Sequence, residues 1–142
     1  MHRKISIISF MLPAIVCCFS YCMEKKTATT SQSLPMFPTM KAPHNEFLQA
    51  LLTGRLVLSG DCLSVGDKLI VWPYGYTVKS KEGVISIFNE KDKQIANVGD
   101  TFELSGGQAG ESVNLKEQVE GYIPGRCSGP IWMVGEVNIK DR

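Results

Sequence analysis

Glycine–aspartate steps cut the second half of this chain into short apolar pieces. They stand at Gly60-Asp61, Gly66-Asp67 and Gly99-Asp100. Between such breaks the apolar residues come in stretches too short for a packed helix, and several of them alternate with polar ones. Leu56 and Leu58 alternate with Arg55, Val57 and Ser59, while Leu63 and Val65 take the opposite parity. Gly60-Asp61 therefore marks a turn across which the buried face must be restored. Leu69-Ile70-Val71-Trp72 is a continuous apolar run ended by Pro73 and Gly75. Residues 76–79 continue extended, 84–88 and 95–98 read as further strands, and Phe102 and Leu104 alternate with Thr101 and Glu103. Residues 113–115 fit a short strand or a helical turn. Ile131, Met133, Gly135, Val137 and Ile139 share one parity and predict a long last strand with a glycine bulge. About seven such runs, with turn signals roughly every 8 to 12 residues, predict an all-β domain: a small antiparallel barrel or barrel-like sandwich. Residues 45–53 predict a short helix ahead of it. Asn45 would cap that helix, Leu48, Leu51 and Leu52 would form its apolar face with Phe47, and Gly54 would close it. The competing reading of the same residues is an extended lead-in to the first strand.

The N-terminus has the plan of an export signal. Arg3 and Lys4 precede an uncharged apolar run over residues 5–19, and Cys17, Cys18 and Cys22 close it. The run is shorter than the ~20 residues a spanning helix needs, and Pro13 interrupts it. An export signal over residues 1–22 is thus favoured over an uncleaved anchor or a buried helix. Ile15-Val16-Cys17-Cys18 and Phe19-Ser20-Tyr21-Cys22 both resemble the site at which a bacterial lipoprotein is cut and lipidated. Cys17 is an unusual small residue for its place in the first, and Tyr21 is too bulky for its place in the second. Cys22 and Cys18 are the two lipidation candidates, and ordinary cleavage after Ser20 is the third outcome. A lipidated cysteine would hold the protein on the non-cytoplasmic side of a membrane.

Residues 23–43 read as a polar, proline-punctuated tether, with Thr27, Thr29, Thr30, Ser31 and Ser33 followed by Pro35, Pro38 and Pro43. Such a stretch lacks the apolar surface needed to offset its ordering entropy. Residues 44–142 then form a single β domain. The formal net charge is +1, and two of the basic residues, Arg3 and Lys4, belong to the signal. The remainder is near neutral and has no basic stripe, which argues against nucleic acid as a partner.

Cys62 and Cys127 are the remaining cysteines. In an exported protein an isolated pair reads most simply as a disulfide; a redox or metal-binding pair would want closer spacing or histidine partners. His2 falls in the signal and His44 beside the tether, so the domain carries no histidine-based triad or zinc set. No metal and no cofactor is expected. Trp72, Tyr74, Tyr76 and Trp132 are candidates for a ligand face, together with Phe88, Phe102 and Tyr122. Core packing of Trp72 and turn packing of Tyr74 and Tyr76 compete with that reading and are favoured. Ser105-Gly106-Gly107-Gln108-Ala109-Gly110 looks like a phosphate loop but lacks the following Lys-Ser/Thr, and reads as a flexible turn. Asp61, Asp67, Asp100 and Glu103 lie near turns without a spacing that marks an acid/base pair. Their glycine–aspartate setting explains the aspartates as turn formers.

Four landmarks together resemble a family of small, functionally uncharacterised bacterial exported proteins. They are Gly60-Asp61-Cys62-Leu63, residues 69–76 (LIVWPYGY), residues 98–107 (VGDTFELSGG) and residues 127–132 (CSGPIW). The resemblance covers roughly residues 56–137 and implies an all-β domain with Cys62 paired to Cys127. Ser105 stands where the family-like glycine run begins, which implies a less mobile loop. No activity comes with it. The expected function is a non-enzymatic binding or accessory module of the cell envelope, with an envelope component as its partner and the membrane reached through the lipid anchor. The alternative is an enzyme that attacks an envelope polymer through carboxylates such as Asp61 and Asp100. An oligonucleotide-binding barrel is disfavoured by charge and by export. Intact-mass measurement of the mature protein from its native membrane is expected to give a chain starting at Cys22 or Cys18, heavier by a lipid. An unmodified mass starting after Ser20 would exclude the anchor.

Overall fold

Strands dominate the chain's structure. The computed structural model describes residues 33–44, 49–111 and 113–138. The export segment, both lipidation candidates, tether residues 23–32 and residues 45–48 of the anticipated helix lie outside these. In chain order the elements are β1 (Thr39–Met40), β2 (Ala50–Ser59), β3 (Cys62–Val65), β4 (Lys68–Val71), β5 (Thr77–Lys81) and β6 (Val84–Phe88). They continue with β7 (Gln94–Asn97), β8 (Thr101–Gln108), α1 (Leu115–Gln118), β9 (Val119–Glu120) and β10 (Ile131–Asn138). The all-β expectation holds. The helix over residues 45–53 does not extend into residues 50–53, which belong to β2 and pair with β8 from Ala50↔Gly106 to Arg55↔Thr101. A long-range ladder with β8 pairs the backbone there, and this outweighs a weak local helix preference.

Five strands pair in a closed ring, β2–β3–β4–β10–β8 and back to β2. Three more, β5–β6–β7, form a separate sheet outside the ring, so the domain as a whole is not one barrel. The pairing is also not wholly antiparallel: β4 and β10 run parallel, with Leu69 opposite Ile131 and Val71 opposite Met133. Parallel neighbours need a long crossover, and here everything between β4 and β10 supplies it.

The interior of the ring holds Leu56, Leu63, Val65, Ile70, Trp72, Leu104, Trp132 and Val134, joined from the outer sheet by Ile87, Ile95 and Ala96. The turn at Gly60-Asp61 restores the face as expected: Leu56 lies opposite Val65 and Leu58 opposite Leu63. In β10 the register shifts between Val134 and Glu136. The extra residue is Gly135, the anticipated bulge. The bulge breaks the single parity expected over residues 131–139. Trp132 and Val134 face the interior before the bulge and Val137 packs there after it, whereas Ile131 and Met133 pack outside.

Residues 105–108 are strand, not a flexible turn. Gly106 and Gly107 pair with Val134 and Met133, and both glycines are buried. Gly106 sits at φ +152°, and a Cβ there would lie 2.1 Å from the Met133 carbonyl oxygen and 3.0 Å from Trp132 Nε1. Only glycine lets β8 and β10 approach this closely beneath the Trp132 indole.

The continuous run Leu69–Trp72 is explained by cover on both faces. Ile70 and Trp72 point into the ring. Leu69 lies outside with Met36 and Cys127, and Val71 lies outside with Met40 and Val119. The cover comes partly from residues 35–40, which the sequence reads as tether. Pro35, Met36, Pro38, Thr39 and Met40 are buried, and the backbone is tied in at five points. Met36 donates to the Asp61 carbonyl at 2.8 Å, Met40 donates to the Trp72 carbonyl at 2.9 Å, and Trp72 donates to the Pro38 carbonyl at 2.8 Å. β1 also pairs with β9, with Thr39 opposite Glu120 and Met40 opposite Val119. The reason is that two faces of β4 are apolar and the ring can bury only one. The prolines that suggested a loose spacer instead sit in an extended strap that needs few backbone donors.

Cys62 and Cys127 form the expected disulfide, with their Cα atoms 5.9 Å apart across a sequence separation of 65. It fastens the start of β3 to the loop before β10, and Arg126 next to it pairs with Asp61. Closing a loop of that length stabilises the domain by about 4 kcal/mol through the unfolded chain. A Cys62→Ala/Cys127→Ala variant is expected to lose about that much in a denaturant titration. A loss below about 1 kcal/mol would show that the strap and the ring hold this corner without the bond.

Candidate functional site

The aromatic cluster after β4 separates into a buried part and a displayed part. Trp72 is completely buried. Its ring stacks on Phe37 of the strap at 5.5 Å between centroids and on Tyr76 at 6.4 Å. Between Trp72 and Tyr76 the chain makes a turn in which the Tyr76 amide donates to the Pro73 carbonyl at 3.3 Å. Gly75 occupies its third position at φ +80°. That is a type II turn, which wants glycine there. A side chain at Gly75 would also come within 3.0 Å of Glu90 Cβ. The glycine therefore both makes the turn and brings the β6–β7 turn alongside. Tyr74, at the tip, is 50% exposed.

An open groove of about 340 Å³ lies beside this turn. It is lined by Tyr74, Tyr76 and Pro73 of the turn, by Met40, Pro43 and His44, by Val134 and Gly135 at the β10 bulge, and by Glu90. Bulges are frequent next to binding sites because they re-aim a strand's side chains. The Tyr76 phenol is held above the ordinary tyrosine value, chiefly by burial and then by the negative charges of Glu90 and Glu136. Both charges therefore reach the same phenol. Among the described residues neither forms an ion pair.

The four sequence candidates thus do not make one ligand face. Tyr74 and Tyr76 line the groove. Trp72 and Trp132 belong to the ring interior and present no surface to a ligand. Tyr122 packs outside β4 against Val71 and Leu69, and Phe88 lies under the Lys79 ammonium at 4.3 Å. The carboxylates proposed as an alternative pair are held apart. Asp61 pairs with Arg126. The Asp100 carboxylate accepts the Asn97 amide at 2.8 Å, and its carbonyl accepts the Leu56 amide. Asp61 lies just beyond Ser59, the last residue of β2, whereas Asp100 bonds at Leu56, so roughly 10 Å of strand separates the two. Asp67 pairs with its neighbour Lys68 at 3.0 Å. Among the described residues no three His, Cys, Asp or Glu side chains cluster as a metal site, and no helix is long and apolar enough to cross a membrane.

Sequence reasoning missed Met40, His44, Glu90 and the bulge as site residues. In the sequence His44 stands beside the tether and Glu90 follows the strand over residues 84–88, and neither carries a signal of its own. The one available sign was Gly75, whose place in a tight turn hints at a close neighbour without naming it. Comparison of the chain with protein families, with curated proteins and with solved structures finds no match.

The raised Tyr76 value has a testable sign. Below pH ~10 the phenol is neutral in folded and unfolded chains alike, and its contribution is constant. Above pH ~10 the unfolded chain gives up the proton first, so stability falls until the folded-state phenol ionises. In an absorbance titration of the folded protein, one tyrosine is expected to ionise later than an ordinary one, and Tyr76→Phe should remove that late component. Loss of an early component instead would refute the assignment.

Proposed function

We propose that this protein is exported, is held to the cell envelope through a lipid on Cys22 or Cys18, and works there as a non-enzymatic binding module. The ligand seats in the groove beside Tyr74 and Tyr76. The observation that carries the reading is the groove itself: two tyrosines, two prolines and a strand bulge around an open volume, set on a rigid ring by the Phe37–Trp72–Tyr76 stack. Tyrosines on a rigid support offer large contact area at low ordering cost, with a polar tip for orientation. The export plan of residues 1–22 and the Cys62–Cys127 bond fit an oxidising location. The near-neutral charge supports a partner other than nucleic acid. The likeness to small bacterial exported β-domain proteins points the same way and adds no activity.

The test is a photo-reactive residue placed at Tyr74 and, as a control, at Val84, which is exposed on the outer sheet. In living cells the Tyr74 probe is expected to cross-link to one envelope component and the Val84 probe to none. Equal cross-linking from both positions, or turnover of a cell-wall polymer by the purified protein, would overturn the proposal.

A further inference from the structure

The protein already shows, within its own outer sheet, how it holds a lysine. The Lys79 ammonium sits 4.3 Å over the Phe88 ring and 2.5 Å from the Asp92 carboxylate. A ring face plus a carboxylate is a receptor for an ammonium group, because the ring quadrupole and the anion attract the same charge from two sides. The groove repeats this combination on a larger scale. It offers the Tyr74 and Tyr76 rings and the Glu90 carboxylate, with the Glu136 charge acting on the Tyr76 phenol. Its lining contains no Lys and no Arg. Lys91 and Lys93 follow Glu90 in the chain, yet neither lines the groove. The remaining lining is Met40, Pro43, His44, Pro73, Val134 and Gly135, whose apolar side chains suit a hydrocarbon stem.

We propose that the groove receives a primary ammonium group on an alkyl stem, the lysine side chain of an envelope peptide or protein. The stem lies along Met40, Pro73 and Val134. The head lies between the tyrosine rings and the Glu90 carboxylate, with Glu136 adding to the attraction. Long cationic side chains bind in this divided way, apolar along the stem and charged at the tip. This rests on reading the groove as the binding site and names the chemistry of its occupant.

The test uses the mature chain with its disulfide intact and two small probes, Nα-acetyl-lysine N-methylamide and its uncharged counterpart Nα-acetyl-norleucine N-methylamide. Amide chemical shifts are followed by NMR. The lysine probe is expected to shift residues around Tyr74, Glu90 and Gly135 and to bind at least about tenfold more tightly than the norleucine probe. Glu90→Gln should weaken the lysine probe about fivefold and leave the norleucine probe unchanged, and added salt should weaken only the lysine probe. Glu90 is exposed, so the glutamine variant keeps the fold, which the unchanged spectrum away from the groove verifies. Equal binding of both probes would overturn the ammonium assignment while leaving the groove as a binding site. Shifts from the lysine probe confined to other surfaces, or none at all, would overturn it as well, and the Tyr74 cross-link would then report separately on the groove.

Discussion

The two-sided burial of Leu69–Trp72 is the constraint on which the rest of the structure depends. A strand in a small ring can place alternate side chains inside, but the intervening ones then face water. Here Leu69 and Val71 are as well buried as Ile70 and Trp72. Burial of four large apolar side chains in succession is worth several kcal/mol, on the order of 1.5–3 kcal/mol each. That gain requires a second layer outside the ring. The chain supplies it from both ends, with the strap of residues 35–40 on one side and residues 115–122 on the other, joined to each other through β1 and β9. The Cys62–Cys127 bond closes the same outer layer near Met36, whose sulfur lies 4.0 Å from Cys127 Sγ. Thus the disulfide, the strap and the parallel β4–β10 pair serve a single purpose, which is to bury the outer face of β4.

How far the fold could be read from the sequence follows from which interactions are local. Alternation fixed the inward face of β2 and β3 because Leu56, Leu58, Leu63 and Val65 obey the two-residue period on either side of one tight turn. The Lys81–Val84 hairpin is equally local: Glu82 and Gly83 both take positive φ, the type I′ geometry that favours two-residue loops. The errors arose where a distant partner decides the outcome. Residues 50–53 become strand because β8 lies beside them. Residues 105–108 become strand because β10 needs glycine backbone beneath Trp132. The strap is ordered because Leu69 and Val71 need cover. Composition alone describes residues 35–40 as spacer, and no periodicity in so short a segment could have said otherwise.

The site was legible only in part, for the same reason. Tyr74 and Tyr76 stood out as a displayed turn, and both line the groove. Trp72 stood out equally but is structural, since it carries Tyr76 on one face and Phe37 on the other. Glu90, His44 and Gly135 come from three separate places in the chain and meet only through tertiary contacts. Their chemistry is individually ordinary, and it becomes a candidate site when the Gly75 turn and the β10 bulge bring them around one volume.

The strap has a mechanical consequence. Any pull on this domain from its N-terminal side enters through residues 35–40. Those residues run parallel to the strands they bridge, at Met36–Cys62 and Thr39–Trp72. Load along such a segment acts in shear across several hydrogen bonds at once, instead of peeling them singly. It is passed to the disulfide at one end and to the buried tryptophan at the other. A domain strapped this way would resist unfolding by a pull from its N-terminal side more strongly than its modest size suggests. Tension would reach the ring first at Met36–Cys62 and only afterwards Met40 in the groove wall. The strap and the groove therefore meet in one residue, Met40.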